Sequence, residues 1–218
     1  MKIFQHAASF ASAGVIGVIT AFTVQVNNAP SPATIQTVAV TNKVTAFQVD
    51  SKNSRLLWTA RKVTGEHAGT INISSGTLNV ENNALKNGSF KLDTRSIAVT
   101  DIKDAESNAK LVGHLKSDDF FAVEKHPAAE FVITGIKPHG NNQYDLTGKL
   151  TIKGITNDIN FPAAITVDKD KLTATAKVKV DRTKYDIKYR SKNYFENLGD
   201  KAIYDDFELD ITLLANAQ

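Results

Sequence analysis

Leu172-Thr173-Ala174-Thr175-Ala176-Lys177-Val178-Lys179-Val180-Asp181 alternates without a break. Leu172, Ala174, Ala176, Val178 and Val180 share one face; Thr173, Thr175, Lys177, Lys179 and Asp181 share the other. That is the period-two pattern of a strand with one side buried. Phe207, Leu209, Ile211 and Leu213 repeat it against Glu208, Asp210 and Thr212. Lys149-Leu150-Thr151-Ile152-Lys153 does so again, with Gly154 to Asp158 read as a turn into Ile159-Asn160-Phe161.

Working outward, Glu130 to Gly135, Tyr144 to Leu146, Ser89 to Asp93, Gly69 to Ile73 and Ser54 to Trp58 complete about eight strands. Asn82-Asn83, Asn87-Gly88 and Gly140-Asn141-Asn142 carry the residue types of tight turns between them. One segment has helical spacing, Asp104 to Lys116, where Ala105, Ala109 and Val112, then Leu111 and Leu115, recur three or four residues apart. Asp101 or Asp104 suits its N-cap, and Lys192 to Leu198 is expected to add a short turn of helix. Many alternating strands and little helix predict an all-β sandwich or closed antiparallel barrel.

The rest of the chain bounds this domain. The 218 residues, 42% hydrophobic and 22% charged, suffice for one substantial domain and an export segment. Between Lys2 and Lys43 no Asp, Glu, Lys or Arg occurs, and Ala7 to Val26 is dominated by apolar residues. Residues 1–29 therefore read as a secretory signal or an uncleaved anchor that could contact a membrane, and residues 30–45 as a linker. Either places the domain, residues 46–215, outside the cytoplasm, in the periplasm or secreted.

Net charge is +3, with Lys and Arg dispersed among Asp and Glu, so no basic patch for nucleic acid is expected. Without cysteine there can be no disulfide or thiolate metal site, and no two histidines have metal-ligand spacing. The Gly-x-Ser-x-Gly elbow, phosphate loops and dinucleotide fingerprint are absent. No cofactor and no catalytic group is expected.

Gly113-His114-Leu115-Lys116-Ser117-Asp118-Asp119-Phe120-Phe121, with Glu124-Lys125-His126-Pro127 and Glu130-Phe131, resembles the signature of the YceI-like family of lipid- and polyisoprenoid-binding proteins. Phe47-Gln48-Val49-Asp50, Gly65 to Thr70, Leu150 to Thr156, Asp181 to Asp186 with Tyr189, and Tyr204 to Phe207 are similar to other family segments, in order. Val112-Gly113 stands where many members have Arg-Asp, so no role of that pair carries over. The resemblance implies an eight-stranded lipocalin-like barrel with a short helical insertion, an exported protein often paired as a homodimer, and a long-chain lipid such as a polyisoprenoid in the lumen.

An eight-stranded barrel is either filled by its own side chains or holds one slender ligand. Alternation reports burial, not emptiness, so both readings stand on the residues alone. The candidate lining is Trp58, Phe131, Ile133, Leu150, Ile152, Phe161, Ala174, Ala176, Val178, Val180, Leu209 and Ile211. Ala174, Ala176, Gly135 and Gly148 are expected to leave room among them. Each buried methylene contributes about 0.8 kcal/mol, so a long chain needs few polar contacts. His67 between Gly65 and Gly69, His114 on the helix, and Arg182 are head-group candidates. Each also has a plain structural reading: a solvated turn histidine, a satisfied histidine, and an ion pair with Asp181, Asp186 or Asp205.

Overall fold

In the computed structural model, residues 43–218 are described. The expected signal or anchor, and the linker up to residue 42, lie outside the described residues. The rest forms strands β1 (Val44–Val49), β2 (Arg55–Lys62), β3 (Gly65–Glu81), β4 (Ala84–Val99), β5 (Ala128–Gly140), β6 (Gln143–Ile152), β7 (Ile155–Asp168), β8 (Lys171–Asp181) and β9 (Ile203–Ala217), with helix α1 (Ala105–Lys116) between β4 and β5.

These nine strands occupy eight positions in a closed antiparallel ring. β1 and β2 lie end to end between the same neighbours. β1 faces the C-terminal part of β3 (Phe47 opposite Leu78) and the end of β9 (Phe47 opposite Ala217). β2 faces the start of β3 (Trp58 opposite Gly69) and the rest of β9 (Trp58 opposite Leu209). From β3 to β9 each strand pairs with the next, so the sheet closes as a barrel.

The break between β1 and β2 is held by short-range polar contacts. Asp50 accepts from the backbone N–H groups of Lys52 and Asn53, both at 3.1 Å, and from Asn53 Nδ2 at 2.8 Å. The Asn53 side chain first, then these backbone donors, hold the Asp50 carboxyl below its ordinary pKa. Ser54 Oγ bonds both the carbonyl and the N–H of Leu214, so a hydroxyl takes over the ladder where the backbone leaves it.

Two-residue turns join most hairpins. Asn82-Asn83, Asn141-Asn142 and Lys153-Gly154 have both residues at positive φ, the twist that matches flanking strands. The turn expected over Gly154 to Asp158 is therefore shorter and earlier, because Ile152 pairs directly with Ile155. Asn87-Gly88 is not a turn. It lies within β4, where Gly88 opposes Leu78 and a Cβ would sit 2.7 Å from that leucine's Cδ2; the glycine admits a neighbour's side chain. Tyr144 to Leu146 and Lys149 to Ile152 belong to one strand, β6.

Asp104 caps α1, its carboxylate accepting from the Ser107 N–H at 2.9 Å. Asn108 Nδ2 donates to the carbonyls of Val99 and Ile102, fastening the helix start to the end of β4. The segment Lys192 to Leu198 forms no helix; the short 3₁₀ helices are Arg182–Tyr185 and Gly199–Lys201. No helix among the described residues is long and apolar enough to cross a membrane.

Candidate functional site: a two-lobed apolar lumen

The inward faces of the strands enclose two hollows, each of about 100 Å³. The first is bordered by Phe131, Ile133, Leu150, Phe161, Ala174, Ala176, Val178, Leu209 and Ile211 from the expected lining, and presents no polar surface. The second is bordered by Trp58, Leu150, Ile152 and Leu209, and by Leu115, Phe120 and Phe121 from α1 and the loop after it. Leu92, Leu150 and Leu209 border both, so three leucines stand between the two hollows.

Val180 borders neither hollow. At 1% exposure it packs into the solid core with Tyr185 and Ile187. The two glycines expected to leave room do not. Gly148 lies beneath the Phe131 ring, where a Cβ would come within 2.3 Å of Cε2. Gly135 sits at a register shift with Thr147 Cβ as its neighbour, and Thr147 is exposed, so this glycine is on the outer face. Phe131 in turn stacks on Phe90 with centroids 6.4 Å apart and tilts against Phe161 at 5.4 Å. Aromatic rings thus occupy the space that glycine leaves.

Sequence reasoning passed over Ile73, Leu78 and Phe90 in the first hollow, and Ile97, Leu115, Phe120 and Ile187 in the second. Leu172, on the inward face that the alternation of β8 marks, borders the first hollow as expected. Phe90 and Ile73 lie beside register shifts that spoil the period-two pattern in β3 and β4. The contributions of α1 and of Ile187 come from tertiary packing that no local period announces.

The head-group candidates fall into protein contacts. His67 Nδ1 meets Asp101 Oδ2 at 2.8 Å, and Asp101 also accepts from the Ala68 N–H. Burial acts to raise the Asp101 pKa, but the Ala68 N–H, the His67 ring, Asp101's own N–H and the charge of His67 together hold the group below its ordinary value. His114 Nε2 meets Asp119 Oδ2 at 2.9 Å while its ring stands edge-on between Phe120 and Tyr189. Neither histidine borders a hollow.

Arg182 does border the second hollow, and is 4% exposed. Its Nε donates to the Tyr204 carbonyl at 3.0 Å, Nη1 to the Ile187 carbonyl at 2.8 Å, and Nη2 to the Ile203 carbonyl at 3.1 Å and Asp205 Oδ1 at 3.3 Å. Four of the five guanidinium N–H groups are thereby engaged. Burial lowers the Arg182 pKa, with Asp205 and then Asp181 opposing the shift. Thr94 donates its hydroxyl to the His126 carbonyl at 2.7 Å. Two buried polar side-chain atoms among the described residues have no partner, Trp58 Nε1 and Tyr185 Oη. No group of three His, Asp or Glu side chains converges as a metal site among the described residues.

Comparison with known proteins agrees with this architecture. The crystal structure of BcnA from Burkholderia cenocepacia superposes with a TM-score of 0.62 at 20% identity, covering 77% of this chain and 99% of that one. A polyisoprenoid binding domain from Saccharophagus degradans superposes at 0.57 with 13% identity, covering 79% and 98%. Among curated relatives, a UPF0312 protein of Azotobacter vinelandii is 35% identical over 83 residues, 35% of this chain. The alignment spans 43% of that relative's length, so the chain matches about two fifths of it. The model of the YceI-like domain matches residues 47–215, from within β1 to within β9. The chain belongs to the YceI-like domain family.

Proposed function

We propose that this protein is an exported carrier that holds a polyisoprenoid or similar long-chain lipid in its barrel, without chemical turnover. The observation that carries the reading is the lumen itself, whose first hollow presents no polar surface. Such a cavity stays dry and rewards an apolar occupant. The name of the Saccharophagus domain supports the same ligand class on the same fold. The periplasm or the exterior is the expected location, on the composition of residues 1–29. Binding without turnover fits a second hollow at which the Thr94 hydroxyl and the Arg182 guanidinium are committed to backbone carbonyls and Asp205.

Each hollow is smaller than the cavity of about 150 Å³ that accommodates benzene. A long chain therefore enters by pushing aside Leu92, Leu150 and Leu209, and the same observation favours a second reading, a barrel filled by its own side chains. Mass spectrometry of an organic extract of the protein, purified without detergent, separates the two. The carrier reading expects intact lipid at about one per chain; an empty extract, with no uptake of added polyprenol, sinks it. Conversion of the added lipid would mean an enzyme instead. Ala176, opposite Ala163 and Ile211, borders the first hollow. Ala176→Trp, and the milder Ala176→Leu, should abolish lipid recovery in a barrel that still folds by circular dichroism.

A further inference from the structure

Lys188-Tyr189-Arg190-Ser191-Lys192-Asn193-Tyr194-Phe195 sets three cations among three aromatic residues with no acid between them. Single exposed apolar side chains are ordinary on a protein surface; adjoining ones are not. Tyr194 and Phe195 are 50% and 49% exposed, the one pair of large exposed hydrophobic residues that are consecutive among the described residues. From Lys192 to Asn197 every residue is exposed, so the turn projects from the barrel. It projects from a fixed base. Ser191 is wholly buried, its Oγ accepting from the Asn193 N–H at 3.2 Å and its carbonyl from the Tyr194 and Phe195 N–H groups at 3.1 and 2.9 Å. Asn193 Nδ2 donates to Asp205 Oδ2 at 2.6 Å, and the Arg190 carbonyl accepts from the Ile203 N–H at 3.0 Å.

The charge around the turn is positive. From Lys184 to Lys201, both included, five cations stand against Asp186, Glu196 and Asp200, and Asp186 is already paired with Lys188. The acids of β9 beside the turn are answered too, Asp205 by Arg182 and Asn193, Asp206 by Lys179 and Glu208 by Arg61. Lys188 Nζ lies 5.0 Å from the Tyr194 ring centre, so cation and ring are offered as one unit. A protein partner would need a broad patch, about 800 Å² on each side. A knob of two rings flanked by cations fits a bilayer surface better: the rings settle among headgroups while the cations meet lipid phosphates.

We infer that the turn from Lys192 to Asn197 is a docking finger for an anionic lipid surface, with Tyr194 and Phe195 entering the headgroup layer and Lys188, Arg190 and Lys192 drawn to its phosphates. The finger stands at the α1 end of the barrel. Lys153, in the β6–β7 turn of that end, donates to the Asp118 and Asp186 carbonyls at 3.4 and 3.1 Å, whereas Asn82-Asn83 and Asn141-Asn142 close the opposite end. Docking therefore turns the end nearest the second hollow, which Ile187 and Ile203 border, toward the membrane. No residue of the finger borders either hollow, so docking does not depend on what fills the lumen.

Amide hydrogen exchange of the full, unaltered protein tests the finger, read segment by segment so that insertion through residues 1–29 does not register at the turn. Vesicles of phosphatidylcholine, and of equal parts phosphatidylcholine and phosphatidylglycerol, are compared with buffer. The mixed vesicles should slow exchange from Lys192 to Asn197 about tenfold and leave Asn82-Asn83 and Asn141-Asn142 unchanged. Salt at about 1 M, with a screening length of about 3 Å, should remove most of that slowing. Tyr194→Ser with Phe195→Ser should abolish it, and Lys192→Gln should weaken it about fivefold, the worth of one surface cation. No slowing on the mixed vesicles, equal slowing on both kinds, or slowing at the opposite end overturns the finger. So does slowing that needs only more protein and no vesicle, which marks a second copy. Each of these outcomes leaves the lipid carried in the lumen to be decided by the organic extract. If the double variant fails to fold, the exchange pattern of the unaltered protein decides alone.

Discussion

At Arg182 a cation has been drawn into the fold as a clasp between main-chain segments. Its three carbonyl partners belong to Ile187, Ile203 and Tyr204, so one side chain ties the turn after β8 to the start of β9. An ammonium has the charge but not the fork, and cannot reach all three. Arg182→Lys should therefore lower stability by about 3 kcal/mol in urea unfolding, through carbonyls left unmet in the interior; a change below 1 kcal/mol would show that the clasp is redundant. Tyr185 presents the opposite case, a hydroxyl that gains nothing from its burial. Tyr185→Phe should leave stability unchanged or raise it by about 1 kcal/mol. Burial, and then Asp181, push the phenol up to about 12. Since the folded state keeps the proton longer than the unfolded chain, this contribution is whole below the ordinary value of 10.0 and is lost as pH rises from there to about 12. The variant should lack that limb in stability measured against pH. Of this, the ion pair with Asp205 was among the readings the sequence offered; the carbonyls of Ile187, Ile203 and Tyr204 were not, because the last two are brought to Arg182 by β9, some twenty residues on.

Elements were legible where one face is dry and the register unbroken. β8 and β9 follow their alternation to the residue, and α1 begins one residue after the Asp104 that caps it. β4 was legible only from Ser89 to Asp93, because its register against β3 shifts and a glycine usually diagnostic of a turn serves to admit Leu78. The glycines of α1 and β6 make this concrete. Gly113 is exposed, and a Cβ there meets nothing within 4 Å. Gly113→Ala should stabilise the helix by about 0.5–1 kcal/mol, read as a raised melting temperature. Gly148→Ala should cost about 3 kcal/mol, because the new methyl would lie 2.3 Å from the Phe131 ring and 2.6 Å from the Val132 carbonyl. Equal effects at the two positions would contradict the packing described.

For the whole molecule, barrel closure and the family resemblance could be read from sequence, while the state of the interior could not. A buried alternating face is the same string of residues whether side chains meet in the middle or stop short, so Val180 and Ala176 looked alike; only packing separates the solid position from the hollow one. Closure itself depends on β1. Phe47, 1% exposed, packs beneath the short strand that completes the ring. Phe47→Ala should cost about 3–5 kcal/mol in urea unfolding and speed amide exchange in the last residues of β9, its neighbours. A large loss confined to β3 would instead mean that the ring closes without β1. Because that neighbour is Ala217, the domain's earliest strand waits for its latest. The ring therefore shuts only through a pairing that spans the domain, a long loop closure made before its contacts can repay it, and slow for that reason.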